Sequence, residues 1–104
     1  MRTTRDRAVT AEQAAGLAGT FRLLGDPTRA QLLYALLAGG EVSVGDLCEA
    51  VPVTGTAVSH ALRRLRRAGV VASRRDGRTV YYRLSDTNVR MLLDLSREHL
   101  REGR

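Results

Sequence analysis

Apolar residues recur at helical spacing through most of this chain, then give way to two β-branched and aromatic runs before the helical spacing returns. Thr10 with Gln13 three residues later is a capping box. A helix opens there and carries Leu17, Phe21 and Leu24 along one face as far as Gly25. Asp26-Pro27 supplies a second N-cap, with a proline at the first helical position where its missing N–H costs nothing. The helix that follows turns Leu32, Leu33, Leu36 and Leu37 inward and stops at Gly39-Gly40. Glu41 and Val42 read as a short extended link. Ser43, with Asp46 after it, caps a brief helix to about Ala50, and Val51-Pro52-Val53 forms a turn. Thr54 caps the next helix, which ends at Gly69. In it Val58, Leu62 and Leu65 recur at i, i+4 and i+7 and face the core, with the arginines on the other side.

Two short helices joined by a tight turn, the second one basic, match a helix-turn-helix. Residues 70–74 and 79–84 are strand-forming runs around Asp76-Gly77, a strong hairpin turn signal. A last helix runs from about Asp86 to Arg101. Its Val89, Leu92, Leu93, Leu95 and Leu100 offer more apolar surface than one small domain covers, which points to a dimer seam. The fold expected is mainly α with a small β-hairpin: a winged helix-turn-helix in the order α-α-α-α-β-β-α. Residues 1–9 read as a disordered N-terminal arm and residues 10–104 as one DNA-binding and dimerisation domain.

Charge sharpens this picture. Residues 54–83 hold eight arginines (Arg63, Arg64, Arg66, Arg67, Arg74, Arg75, Arg78, Arg83) against Asp76 alone, a local charge of +7 in a chain whose total is +6. A unit that gathers all the excess charge is suited to a polyanion. The plainer reading is a solvated arginine face. Against it stands the absence of any acid from Thr54 to Ser73, since like charges at i,i+3 and i,i+4 repel unless an outside anion neutralises them. At 104 residues the chain is one domain, marginal as a monomer. Its core must be built from Leu, Val and Ala, because aromatics make up only 4% and Trp is absent. Every one of the seventeen basic residues is arginine, which genome composition explains as easily as function. The single cysteine, Cys48, allows no internal disulfide and suits a reducing compartment. No apolar run approaches the roughly 20 residues that span a membrane, and the polar first ten residues lack a secretory signal. A cytoplasmic protein is expected.

Residues 21–29 (FRLLGDPTR), then Ala57-Val58-Ser59-His60-Ala61-Leu62, then Gly77-Arg78 before Tyr81-Tyr82, resemble the ArsR/SmtB winged-helix regulators. The likeness covers residues from about 12 to 102. It implies a homodimer through the first and last helices that binds an imperfect palindrome in double-stranded promoter DNA. In most such proteins a bound metal or metalloid weakens DNA binding. The resemblance places residues 54–63 in the major groove, where base edges carry a distinguishable code. Thr54, which caps that helix, is expected at the DNA from the helix start, and Thr56, Ser59, His60 and Arg63 are the expected readers. Arg67 is expected on phosphate, and Arg74, Arg75 and Arg78 on the flanking backbone or minor groove.

The same resemblance allows a test for sensor sites. Where arsenic-type members carry Cys-x-Cys-x-x-Cys, this chain has Ser43, Gly45 and Cys48, and one thiolate cannot build a soft trigonal site. The family's last-helix site maps to Asp86, Asn88, His99 and Glu102. Asn88 replaces a family histidine, and its amide oxygen is a weaker donor to zinc, cobalt or nickel. Two readings of control therefore stand open. In one, nickel, zinc or cobalt binds these four residues across an antiparallel dimer seam. In the other, Asp86 only caps its helix and regulation is metal-independent, which leaves room for a second regulatory protein. Rivals from other classes are a winged helix that docks a protein and an enzyme. The unpaired arginines weigh against the first. The second lacks a Gly-rich phosphate loop or a nucleophile with its base.

Overall fold

In the computed structural model, which describes residues 8–103, the caps form as local chemistry dictates. Helix α1 (Ala11–Leu24) starts with a reciprocal pair: Thr10 Oγ1 accepts from the Gln13 N–H at 3.0 Å and Gln13 Oε1 accepts from the Thr10 N–H at 2.9 Å. Helix α2 (Pro27–Gly39) begins where Asp26 Oδ2 accepts from the Arg29 N–H at 3.0 Å. Arg29 then folds back on the end of α1, its Nε donating to the Leu23 carbonyl at 2.6 Å and its Nη2 to the Arg22 carbonyl at 3.3 Å. A cation on the open carbonyls of a helix C-terminus is favourable, and here it fixes the corner between the two helices. Most of the expected arm, residues 1–7, lies outside the described residues.

Glu41 and Val42 do more than link. With Ser43 they form strand β1 (Glu41–Ser43), so that the hairpin of β2 (Val71–Asp76) and β3 (Thr79–Leu84) becomes a three-stranded antiparallel sheet ordered β1-β3-β2. Glu41 pairs with Arg83 and Ser43 with Tyr81, while Asp76 faces Thr79 across the turn. Gly77 makes that turn with φ +63, a conformation that side chains strain against. Three residues are too few for alternation to show in a sequence. Pairing with β3 alone makes this segment a strand.

Ser43 caps α3 (Val44–Ala50), accepting from the Asp46 N–H at 3.1 Å, and Thr54 caps α4 (Gly55–Arg67), accepting from the Ala57 N–H at 3.1 Å. Asp86 caps α5 (Thr87–Glu102), its Oδ1 accepting from the N–H groups of Asn88 and Val89 at 2.9 and 3.1 Å. The core gathers around α2. Leu32, Leu33 and Leu36 meet Leu47 of α3, Val58, Leu62 and Leu65 of α4, Tyr82 and Leu84 of β3, and Val89 and Leu93 of α5. Each such side chain removed from water contributes about 1.5–3 kcal/mol. Leu37, expected inward, is only half-buried. Among the described residues no polar or charged side chain is buried.

Helix α1 contributes little to this core. Leu23 is its only buried residue, whereas Leu17 and Phe21 are 49% and 58% exposed. On α5, Met91, Leu95 and Leu100 are likewise 58%, 68% and 60% exposed. The radius of gyration, 15.9 Å, exceeds the roughly 13 Å of a compact domain of this length. The first and last helices are therefore amphipathic elements with one apolar face unpartnered within the protomer.

Candidate nucleic-acid interface

Helix α4 is anchored on one side and bare on the other. Val58, Ala61, Leu62 and Leu65 are buried, which fixes its rotation about its own axis. Thr56, His60, Arg63 and Arg67 recur at i, i+4, i+7 and i+11 and so form one stripe away from that anchor, with Ser59 beside it. All five are exposed, and none of the arginines of α4 is ion-paired among the described residues. Arg64, Arg66 and Arg67 lie in the last turn, where they complement the helix dipole. That gives them a local role but leaves their charge unneutralised. Thr54 sits at the helix start with its hydroxyl oxygen committed to the cap, leaving the hydroxyl proton to donate outward.

The hairpin carries Arg75 and Arg78 exposed, with no acid paired to either among the described residues. Arg74 is held differently. Its Nε and Nη2 donate to the two carboxylate oxygens of Glu41 at 2.8 and 2.7 Å, and its guanidinium carbon lies 4.6 Å from the centre of the Tyr81 ring. Arg74, expected on the flanking backbone or minor groove, spans the sheet from β2 to β1, ties the hairpin to the strand that leads into α3, and has its charge matched by Glu41. Glu41 gave no sign of this in the sequence, since the partnership depends on β1 joining the sheet.

That pair has a measurable signature. The hydrogen bonds from Arg74 hold the Glu41 carboxyl below its ordinary value of 4.5, with smaller help from the charges of Arg74 and Arg83. The same bonds raise Arg74. A lowered carboxyl contributes stability that is whole above pH 4.5 and is lost as the pH falls through the lowered value. In Arg74→Ala the Glu41 carboxyl should titrate closer to 4.5, as read from its carboxyl carbon shift by NMR. An unmoved midpoint would mean that the pair is open in solution.

The four candidate metal ligands lie at the two ends of α5. Asn88, His99 and Glu102 are exposed, and Asp86 is half-buried at the cap with Oδ2 uncommitted. Asp86 and His99 are thirteen residues apart, about 20 Å along a helix, so one protomer does not bring them together. Among the described residues no three His, Cys, Asp or Glu side chains cluster closely enough to hold a metal ion. Cys48 is half-buried on α3 with Ser43 and Gly45 nearby in sequence, so no thiolate site forms there.

The fold is shared with known proteins. Residues 26–73 match the family described as "Bacterial regulatory protein, arsR family". The chain is similar to the transcriptional repressor SmtB homolog of Synechocystis sp., with 41% identity over 103 residues covering 99% of this chain and 77% of that protein. The chain belongs to the ArsR family. Among solved structures, the antimony-specific transcriptional repressor AntR superposes with a TM-score of 0.86 at 32% identity, covering 99% of this chain and 94% of that one. A homodimeric winged helix-turn-helix DNA-binding domain from Mycobacterium bovis superposes with a TM-score of 0.73 at 29% identity, covering 92% and 91%. As an ArsR-family member the chain is a winged helix-turn-helix DNA-binding transcriptional regulator and not an enzyme. No helix among the described residues is long and apolar enough to cross a membrane.

Proposed function

We propose that this ArsR-family protein is a transcriptional repressor that binds an inverted repeat in promoter DNA as a homodimer, each protomer laying α4 in one major groove. The observation that carries this reading is the exposed, unpaired stripe of Thr56, His60, Arg63 and Arg67 opposite the buried anchor of α4. Arg75 and Arg78 extend the positive surface onto the hairpin, and the apolar faces of α1 and α5 supply the seam. Repression follows the relatives named as repressors. Duplexes selected from a random pool by the purified protein should share an imperfect inverted repeat bound by one dimer. A pool that keeps no common sequence sinks this reading.

The donor set on α5 extends the reading to control. In an antiparallel α5 pair, Asp86 and Asn88 of one protomer meet His99 and Glu102 of the other, giving two equivalent sites of three oxygen donors and one imidazole each. The free Oδ2 of Asp86 lets it cap its helix and bind as well. Such an oxygen-rich set suits nickel, cobalt or zinc with added water. A bound ion would supply a bridge between protomers that biases how their α4 helices are spaced. The relative named for antimony shows a metalloid-linked member of this fold. Calorimetry with nickel or zinc should register about one ion per protomer, lost in His99→Ala. Binding indifferent to that substitution returns these residues to capping and solvent, and the regulator to metal independence. Nothing in the described residues calls for a second regulatory protein.

A further inference from the structure

An open cavity of about 550 Å³ lies between the start of α2 and the flank of α4. Thr28 and Arg29 line it from one side, and His60, Arg63, Arg64 and Arg67 from the other. Its wall thus carries four arginines against one aspartate, Asp26. Asp26 caps α2 through Oδ2, so its Oδ1 and its single negative charge remain at the wall, and Arg29 donates to the carbonyls of α1. Arg63, Arg64 and Arg67 have no acid partner among the described residues. Arg64 is not on the reading stripe. One position past Arg63, it is rotated by about 100°, toward α2.

We propose that this cavity seats a phosphodiester of the DNA backbone, gripped by Arg64 and the Thr28 hydroxyl while the neighbouring stripe reads bases. The inference rests on the DNA-binding reading above and adds residues to it that the sequence did not single out. A guanidinium fork matches phosphate oxygens, and a hydroxyl can donate to a third. The cavity is open and shares His60, Arg63 and Arg67 with the stripe. A duplex laid along α4 therefore passes its mouth, which favours a backbone phosphate over a free anion. Contacts to phosphate position a protein without reading sequence.

The test is the salt dependence of binding, followed by fluorescence anisotropy on two labelled duplexes, one selected by the protein and one of unrelated sequence. In Arg64→Gln the slope of log affinity against log salt should fall by about 0.9 per protomer, about 1.8 per dimer, on both duplexes. Preference between the duplexes should not change. Arg64→Lys should keep the slope, and Thr28→Val should weaken both duplexes about three- to tenfold with the slope unchanged. An unchanged slope in a folded, dimeric Arg64→Gln overturns the proposal. Were Arg64→Gln to misfold, a wild-type-like Thr28→Val would overturn it equally. Inorganic phosphate that binds the wild type but not Arg64→Gln, with that slope unchanged, would make the cavity a free-anion site. Failure of the wild type to bind any duplex would instead strike at the DNA-binding reading itself.

Discussion

Arg63→Ala should weaken binding to the selected duplex by roughly 1–3 kcal/mol for each half-site, and by about twice that for the symmetric dimer. Even the low end is about thirtyfold in affinity. Arg63 is central on the α4 stripe, exposed and unpaired, while its neighbours Leu62 and Leu65 are buried and fix the direction in which it projects. A side chain held that way loses little freedom when it forks onto guanine, so the discrimination it gives should be near its full value. The unrelated duplex should lose far less, because a base contact does not contribute there. Arg67→Ala makes the contrast. As a phosphate contact it should weaken both duplexes alike and reduce the salt slope by about 0.9 per protomer. Neither change touches the core, so stability should stay within about 0.5 kcal/mol of the parent. If Arg63→Ala kept its preference for the selected duplex, α4 would not be the reading element.

How much of this was legible in the sequence depends on the range of the interaction. The caps at Thr10, Asp26, Ser43 and Thr54 all form as expected, because each is settled within three residues. The hairpin follows from Asp76-Gly77 for the same reason. The rotation of α4 was also legible, since a buried triplet at i, i+4 and i+7 decides which side the arginines take. Strand β1 was not, because its three residues become a strand only by pairing with β3, some forty positions later. The partnership of Arg74 was not legible in consequence: charge counting treats all arginines alike, and the bidentate partner Glu41 arrives only with β1. The cavity against Thr28 is a product of α2 packing on α4 and leaves no local pattern. The proposed α5 ligand set is legible as positions, but its assembly would need two chains, since one protomer holds its halves about 20 Å apart.

Phe21→Glu combined with Leu95→Glu should convert the dimer into a folded monomer and abolish specific DNA binding. Phe21 of α1 and Leu95 of α5 are 58% and 68% exposed in the protomer, yet neither serves its core. Between α1, α2 and α5 an apolar groove of about 250 Å³, lined by Phe21, Leu24, Tyr34 and Leu92, is open for a partner's side chains. Burying one such side chain contributes about 1.5–3 kcal/mol, and symmetry doubles the loss because both protomers carry both changes. Carboxylates placed in the seam add a desolvation cost. The core around Leu32, Leu36 and Leu65 is untouched, so helical content and cooperative melting should persist. A monomer keeps one half-site and roughly half of the binding free energy. A dimer binding at about 10⁻⁸–10⁻¹¹ M would then fall to the level of non-specific association, about 10⁻⁴–10⁻⁶ M. Sedimentation equilibrium and anisotropy on the same samples separate the two effects. A variant that stays dimeric would move the seam away from α1 and α5. It would also remove the geometry that brings Asp86 and Asn88 to the partner's His99 and Glu102, so the proposed metal site depends on the same result.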